Sequence, residues 1–312
     1  WQDFLRRLDP AVELITGNAL PEPPDFQLLI AGRPTRQQIE ASPDLHTLLI
    51  PWIGLPPETR LLMSEFPHIA VHNLHHNSVT TAETALMLML SAAKQNNPIE
   101  QKFRQHDWRP RYESNPALML YGKTVLILGY GHIGRHVGQV CRALRMRVLA
   151  VRRSGRKLAD DPAQAEIFTP DALPDLLPQA NFLVITLPQT VETEGMIGET
   201  ELNILPDQAI LVNVGRAAVV DQRALYQALE SGKLHSAGID VWYNYPKDED
   251  SRANTPPADY PFHTLENIVM SPHRGGGSLE VEVLRLKSIA AILNAAARGE
   301  VIPNRIDLDK GY

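Results

Sequence analysis

The sequence predicts an α/β protein of two doubly wound domains, each a parallel sheet with helices on both faces. Three observations predict it. The chain has 312 residues, which favours two domains over one. Apolar strand-like stretches alternate with helical periods along most of its length. A Gly129-x-Gly131-x-x-Gly134 turn sits between an apolar strand and a helix.

The elements follow in order. Trp1, Phe4, Leu5 and Leu8 fall at helical spacing. "VELITG" reads as a strand, as does "FQLLIAG", and a polar helix runs through Arg36 to Ala41. "HTLLIP" is a strand, Pro56 to Phe66 a helix with prolines early and at its stop, and "IAVHN" a strand. A parallel unit that opens with a helix, on Trp1 rather than Met, leads us to expect a strand upstream. A long helix is expected from about Thr80 to Lys94, with Asn77 and Ser78 as caps and Glu83 near its first turn. "QNNPIEQKFRQHDWRPRYESNP" reads as a connection or arm. A second alternating unit starts at Lys123, with strands "TVLILG", "RVLAVR", "NFLVITLP", "AILVNV", "SAGIDVW" and "NIVMSPH". The last helix, Ser278 to Arg298, stops at Gly299 ahead of Pro303.

Composition narrows the function. Hydrophobic residues make up 44% and charged residues 21%, enough for a large core. The net charge is −6 with no long run of one sign, which argues against nucleic acid as a partner. The most apolar stretch, Ala85 to Ala93, is about half the length that spans a bilayer, and no basic-then-apolar leader opens the sequence. A cytoplasmic protein with no membrane partner is expected. The single cysteine, Cys141, excludes an intrachain disulfide and a cysteine-rich zinc site, and its apolar helical neighbours suit a buried thiol. His72, His75 and His76 cluster in a loop, and His132 and His136 sit in the glycine turn and its helix; no Cys, Asp or Glu completes a ligand set, so no metal is expected.

The glycine turn has a physical logic. Gly129 allows the tight turn, Gly131 lets backbone approach a pyrophosphate, and Gly134 lets helix pack on strand. The helix N-terminus then offers N–H groups and a positive dipole end to the phosphates. The second strand ends at Val151, where an acidic residue would take the ribose 2′-hydroxyl and repel a 2′-phosphate. Here stand Arg152, Arg153 and Ser154, with Arg156 beyond. Guanidinium groups clamp phosphate, so the dinucleotide expected is NADP(H) in preference to NAD(H); the bland alternative is a solvated basic loop.

Three more strand ends carry chemistry. "LVNVGRAAVVD" holds Arg216, "AGIDVWYNYP" holds Asp240, and "VMSPHRGGG" holds His273. In a doubly wound sheet all three gather at the carboxyl edge, where ligands bind. An arginine grips a carboxylate and polarises the neighbouring carbonyl, and a histidine exchanges the hydroxyl proton. Either residue alone suits a surface ion pair or a satisfied loop histidine; together with a nicotinamide they suit hydride transfer beside a carboxylate.

On these residues the chain resembles the D-isomer-specific 2-hydroxyacid dehydrogenase family, which also includes formate and phosphite dehydrogenases. The resemblance runs from "LLIPWIGLP" through "NSVTTAETALMLML", "LYGKTVLILGYGHIGR", "LPQT", "NVGRAAVVD" and "GIDVW" to "SPHRGGGS". It implies a flavodoxin-like substrate domain, 1–97 plus 283–312, with an inserted Rossmann domain, 98–282. It also implies a homodimer formed through the Rossmann domain, and a hinge at the two connections between domains. Carried over, Arg216 is the substrate-binding catalytic arginine and His273 the acid/base. Asp240 holds the nicotinamide carboxamide, Leu187 and Pro188 line the adenosine side, and backbone at Ile53 and Gly54 donates to the substrate carboxylate. His132, Ile133, Val214, Gly215 and Gly275 complete the expected cofactor contacts, and Asn77 and Tyr245 the expected substrate contacts.

One position departs from the family. A glutamate that pairs with the histidine usually stands about five residues after the aspartate; here that place is Tyr245. Ile53 and Asn77 match formate dehydrogenases. Tyr243 to Pro261 is longer than the family norm and is expected to form a lid or rim. The function expected is an NADP(H)-preferring oxidoreductase between small 2-keto acids (glyoxylate, hydroxypyruvate or pyruvate) and D-2-hydroxy acids. The alternatives are formate oxidation and a non-enzymatic NADP-binding regulator.

Overall fold

Two parallel sheets form from the alternating stretches, and the computed structural model describes residues 1–17, 19–114, 116–155 and 160–311 of them and their connections. In chain order the first elements are α1 (Gln2–Arg7), β1 (Leu28–Ile30), α2 (Arg36–Glu40), β2 (Thr47–Leu49), α3 (Pro57–Ser64) and β3 (Ala70–His72). Then come α4 (Ser78–Lys94), α5 (Asn96–Arg104), β4 (Thr124–Leu128), α6 (His132–Ala143), β5 (Arg147–Val151), β6 (Glu166–Phe168), α7 (Leu173–Leu176) and β7 (Phe182–Ile185). The last are α8 (Glu199–Ile204), β8 (Ala209–Asn213), α9 (Gln222–Glu230), β9 (Leu234–Ile239), β10 (Ile268–Met270) and α10 (Val281–Ala297). Two compact units result, 1–77 with 278–312, and 78–277. The expected division was at 97/98 and 282/283.

In the smaller unit the strands lie in the order β1-β2-β3, all parallel. The central strand β2 is buried throughout because both sheet faces are covered. Leu48, Met63, Ile69 and Val71 pack in one core, and Phe4, Leu49, Leu74, Ile289 and Leu293 in the other. A capping box starts α2: Thr35 Oγ1 accepts from Gln38 N at 3.2 Å, and Gln38 Oε1 accepts from Thr35 N at 2.9 Å.

In the larger unit the order is β10-β9-β8-β7-β4-β5-β6, again all parallel. Its strands read as continuous apolar runs because alternate residues enter opposite cores. Leu126, Leu128, Leu183, Ile185 and Leu211 face one core; Val125, Ile127, Phe182, Val184, Ile210 and Val212 face the other. Helix α4 closes the second core with Ala82, Ala85, Leu88, Met89 and Ala92. Ser236 Oγ on β9 donates to Ala92 O at 2.9 Å. A Cβ on Gly238 would lie 2.7 Å from Leu88 Cβ and 3.1 Å from Leu88 O, so only glycine lets the helix approach this closely. This packing gives α4 to the larger unit. Cys141 is fully buried on α6, and burial pushes its thiol up to about 12.

Several sequence expectations need correction. "VELITG" forms no strand: Val12 and Leu14 pack toward α10, but the backbone has no ladder partner. The polar arm contains a helix, α5, which starts after Gln95 in the left-handed region (φ 48°). Strand β6 was not expected; it is a three-residue edge strand whose Glu166 pairs with Arg147 at 2.7 Å. Helix α10 starts at Val281, three residues after the expected Ser278.

The α4 packing yields a test. Gly238→Ala should cost about 1–3 kcal/mol through overpacking and lower Tm by several degrees. A thermal midpoint equal to wild type, by circular dichroism, would contradict the close approach.

Candidate active site

The strand order reverses between β4 and β7, and a doubly wound sheet opens a crevice at the carboxyl ends of such a pair. Gly129 leaves β4 at φ 93°, where a Cβ would meet Leu187 N and Thr186 C at 3.1 Å. Thr186 Oγ1 donates to Gly129 O at 2.5 Å and ties the two loops. Gly215, after β8, approaches the same segment: its Cβ would be 2.5 Å from Leu187 O. Three loops therefore meet at Leu187. Pro188 follows, its carbonyl accepting from Thr193 Oγ1 at 2.7 Å.

The turn fits a dinucleotide. A Cβ on Gly134 would sit 2.4 Å from Gly129 O, so the helix is pressed onto the turn, whereas Gly131 faces open space. His132, Ile133 and Gly134 form the first turn of α6, whose N–H groups and positive dipole end point at that space. Tyr130 sits between the two glycines, yet it is 2% exposed and donates to Asp161 Oδ1 at 2.9 Å. Its inward turn keeps the outer side of the loop clear, a device the sequence did not reveal.

Arg152, Arg153 and Ser154 follow β5 in a turn closed by Gly155 N donating to Arg152 O at 3.2 Å. Arg152 is half-buried, and Arg153 Nη2 lies 3.6 Å from Glu192 Oε2. Arg156 lies outside the described residues.

On the other side of the switch point, β8, β9 and β10 end in adjacent loops. After β8, Val214 is buried and Asn213, 2% exposed, braces the bend: its Oδ1 accepts from Gly215 N at 3.0 Å and its Nδ2 donates to Arg216 O at 3.1 Å. Arg216 Nη1 donates to Gly215 O at 2.7 Å, and desolvation lowers the guanidinium pKa without discharging it. After β9, Asp240 is 1% exposed. Its Oδ1 accepts from Ser271 Oγ at 2.5 Å and Arg274 N at 2.9 Å, and its Oδ2 from Gly275 N at 2.9 Å. A Cβ on Gly275 would fall 2.7 Å from that Oδ2.

These bonds bracket His273, which takes φ 55°, a strained value for a non-glycine residue. Its Nδ1 lies 2.8 Å from Tyr245 Oη. Its pKa is held below the ordinary histidine value, first by partial desolvation, then by the Arg216 charge, with Asp240 opposing. Asn213, Trp242 and Ser271 were missed by sequence reasoning. The Asn-Val-Gly-Arg and Ser-Pro-His contexts are the signals that could have found the first and last.

The smaller unit holds Ile53, Gly54 and Asn77. Ile53 and Gly54 are half-buried in the segment after β2, and Ile53 O accepts from Asn73 Nδ2 at 2.7 Å. Asn77 immediately precedes α4. His72 is buried, its Nδ1 2.8 Å from Pro303 O. Among the described residues no cluster of three or more His, Cys, Asp or Glu is placed for a metal, and no helix is long and apolar enough to cross a membrane.

Comparison with known proteins gives the same family. Residues 86–275 match the family described as D-isomer specific 2-hydroxyacid dehydrogenase, NAD binding domain. A glyoxylate reductase of Korarchaeum cryptofilum is 35% identical over 232 residues, 73% of this chain and 66% of the relative. The match thus spans just under two thirds of that relative's length. The crystal structure of a glyoxylate reductase from Paecilomyes thermophila is 27% identical with TM-score 0.70, covering 88% of this chain and 79% of that one. The structure of a D-isomer specific 2-hydroxyacid dehydrogenase from Xanthobacter autotrophicus, in complex with NADPH and MES, has TM-score 0.78 and covers 100% of this chain and 96% of its own. At 23% identity it speaks for the fold.

The open face of Gly131 sets a test of nicotinamide-dinucleotide binding. Gly131→Val should leave Tm unchanged and weaken cofactor binding by about tenfold or more, measured by calorimetric titration. Unchanged affinity would mean that the cofactor does not approach this turn. Sheet order, glycine turn and matched residues agree: the chain belongs to the D-isomer-specific 2-hydroxyacid dehydrogenase family.

Proposed function

We propose that the protein is an NADP(H)-preferring oxidoreductase that reduces small 2-keto acids of the glyoxylate, hydroxypyruvate and pyruvate class. In reverse it oxidises D-2-hydroxy acids. The observation that carries this reading is the arrival of Arg216, Asp240 and His273 at the ends of β8, β9 and β10, on the same sheet edge as the glycine turn. The glyoxylate reductases among its relatives support the substrate class.

A bound nicotinamide supplies or accepts the hydride. Arg216 pairs with the substrate carboxylate, and its desolvated charge draws electrons toward the carbonyl oxygen. His273 completes the alcohol by giving a proton. Asp240 Oδ2 accepts from Gly275 N, and a carboxylate oxygen has a second lone pair with which to accept a carboxamide N–H. The larger unit is the cofactor domain in this reading. The smaller is the substrate domain, contributing Ile53, Gly54 and Asn77. A homodimer through the larger unit is supported by exposed apolar side chains of the arm, Trp108 and Tyr112, and of the segment that follows it, Met119 and Tyr121.

The preference for NADP(H) rests on Arg152 and Arg153. No carboxylate follows Val151 directly, and the Arg153–Glu192 pair is 42% and 65% exposed, a weak pair that a phosphate can displace. A charge-assisted phosphate contact is worth about 1.5–3 kcal/mol.

Initial rates on a 2-keto acid panel with NADPH and NADH test the reading. We expect turnover of at least one member with lower KM for NADPH. Arg152→Asp should invert that preference, and Glu192→Gln should tighten NADPH binding. Cofactor binding with no turnover across the panel would leave a binding protein, and equal affinity for both cofactors would remove the NADP assignment.

A further inference from the structure

We infer that Tyr245 is the positioning residue of His273: a neutral phenol, in place of a carboxylate, holds Nδ1, leaves Nε2 for proton transfer, and sets an acid-shifted pH range for reduction. The inference rests on the proton-transfer role proposed for His273.

Tyr245 Oη lies 2.8 Å from His273 Nδ1, and Trp242 N donates to the same oxygen at 3.2 Å. Trp242 is itself fixed, 6% exposed, with Nε1 donating to Ser271 O at 2.8 Å. The two rings sit 5.5 Å apart at 57°. The phenol is thus clamped between the end of β9 and the loop that follows β10. Desolvation, the largest effect on Tyr245, raises its pKa, so the hydroxyl stays neutral throughout the working range.

The charges facing the imidazole within the larger unit are Arg216 from the β8 loop and Asp240 from β9, with Arg274 next in the chain. Among the described residues no carboxylate forms an ion pair with His273. The nearby loop acids are engaged locally: Asp248 Oδ1 accepts from Ser251 N at 2.8 Å, and Glu249 pairs with Arg252 at 2.6 Å. The Tyr243–Pro261 segment is anchored, with Tyr243 N and Asn244 N donating to Pro257 O and Asp259 N donating to Gln222 Oε1.

A phenol oxygen accepts Nδ1–H from an imidazolium but adds no negative charge to stabilise it. In reduction, hydride reaches the carbonyl carbon, the carbonyl π pair takes the Nε2 proton, and the ring is left neutral with Nδ1–H donated to Oη. Oxidation runs back through the same states. Reduction needs the charged ring, so its rate falls as pH rises through the His273 pKa; oxidation needs the neutral ring and rises over the same interval.

The test uses the full chain, 15N-labelled at histidine, in wild type, Tyr245→Phe and Tyr245→Glu, with His273 assigned by its loss in His273→Gln. We expect wild-type His273 to titrate below about 6.5. Tyr245→Glu should raise that midpoint by about one pH unit or more and carry the alkaline limb of kcat/KM for reduction with it. Tyr245→Phe should shift the Nδ1 resonance and lower kcat while the KM for cofactor holds, which separates positioning from a packing role. An unchanged Nδ1 resonance in Tyr245→Phe, or a wild-type limb above about pH 8 that vanishes in His273→Gln, would overturn the inference. If no substrate turns over, the proposed function fails alone, because the resonances still report whether Tyr245 holds His273.

Discussion

A single buried carboxylate organises the loops after β9 and β10 in the larger unit. Asp240 is almost fully removed from solvent, and such a charge is tolerated only when hydrogen-bonded. Its three donors come from Ser271, Arg274 and Gly275, the residues that flank His273 on both sides. The left-handed backbone at His273 costs on the order of 1 kcal/mol or more and persists because these bonds over-determine it. Ser271 in turn receives the Trp242 indole, and Trp242 donates to Tyr245. Ring, phenol and loop follow from one carboxylate at the end of β9.

The cofactor side depends on sterics more than on charge. Gly129 and Gly215 bring two loops against the backbone of Leu187, and Gly134 brings α6 against Gly129. The approaches at Gly134 and Gly215 are closer than any Cβ allows, and Gly129 holds a positive φ, so three glycines fix where backbone can meet a pyrophosphate. Tyr130, turned inward to Asp161, keeps that space clear. The sheet order places this cradle and the His273 loop on the same edge.

Much of this was legible in the sequence because it is carried by local pattern. The apolar runs of β4, β7 and β8 declare two buried faces, and the glycine spacing after β4 declares the turn. Arg216 and His273 were legible as polar groups directly after such runs. What escaped depends on partners distant in the chain. "VELITG" has the alternation of a strand, but pattern cannot supply a neighbouring ladder. Strand β6 is a short polar edge held by pairing with β5, and α5 forms in a segment whose polarity resembles a loop. Asp240 reads as a ligand contact, whereas its three hydrogen bonds across 31 to 35 residues give it a structural load as well. Tyr245 reads as a missing glutamate; only the fold shows its hydroxyl against the histidine.

The most direct test of Asp240 as organiser is the crystal structure of Asp240→Asn. An asparagine amide turns a donor toward backbone N–H groups that need an acceptor, so at least one of the bonds to Arg274 and Gly275 must break. The account predicts that His273 leaves the left-handed region and that Tyr245 Oη no longer reaches Nδ1, with both sheets intact. A structure in which residues 271–275 and the Tyr245–His273 contact superimpose on the parent would contradict it.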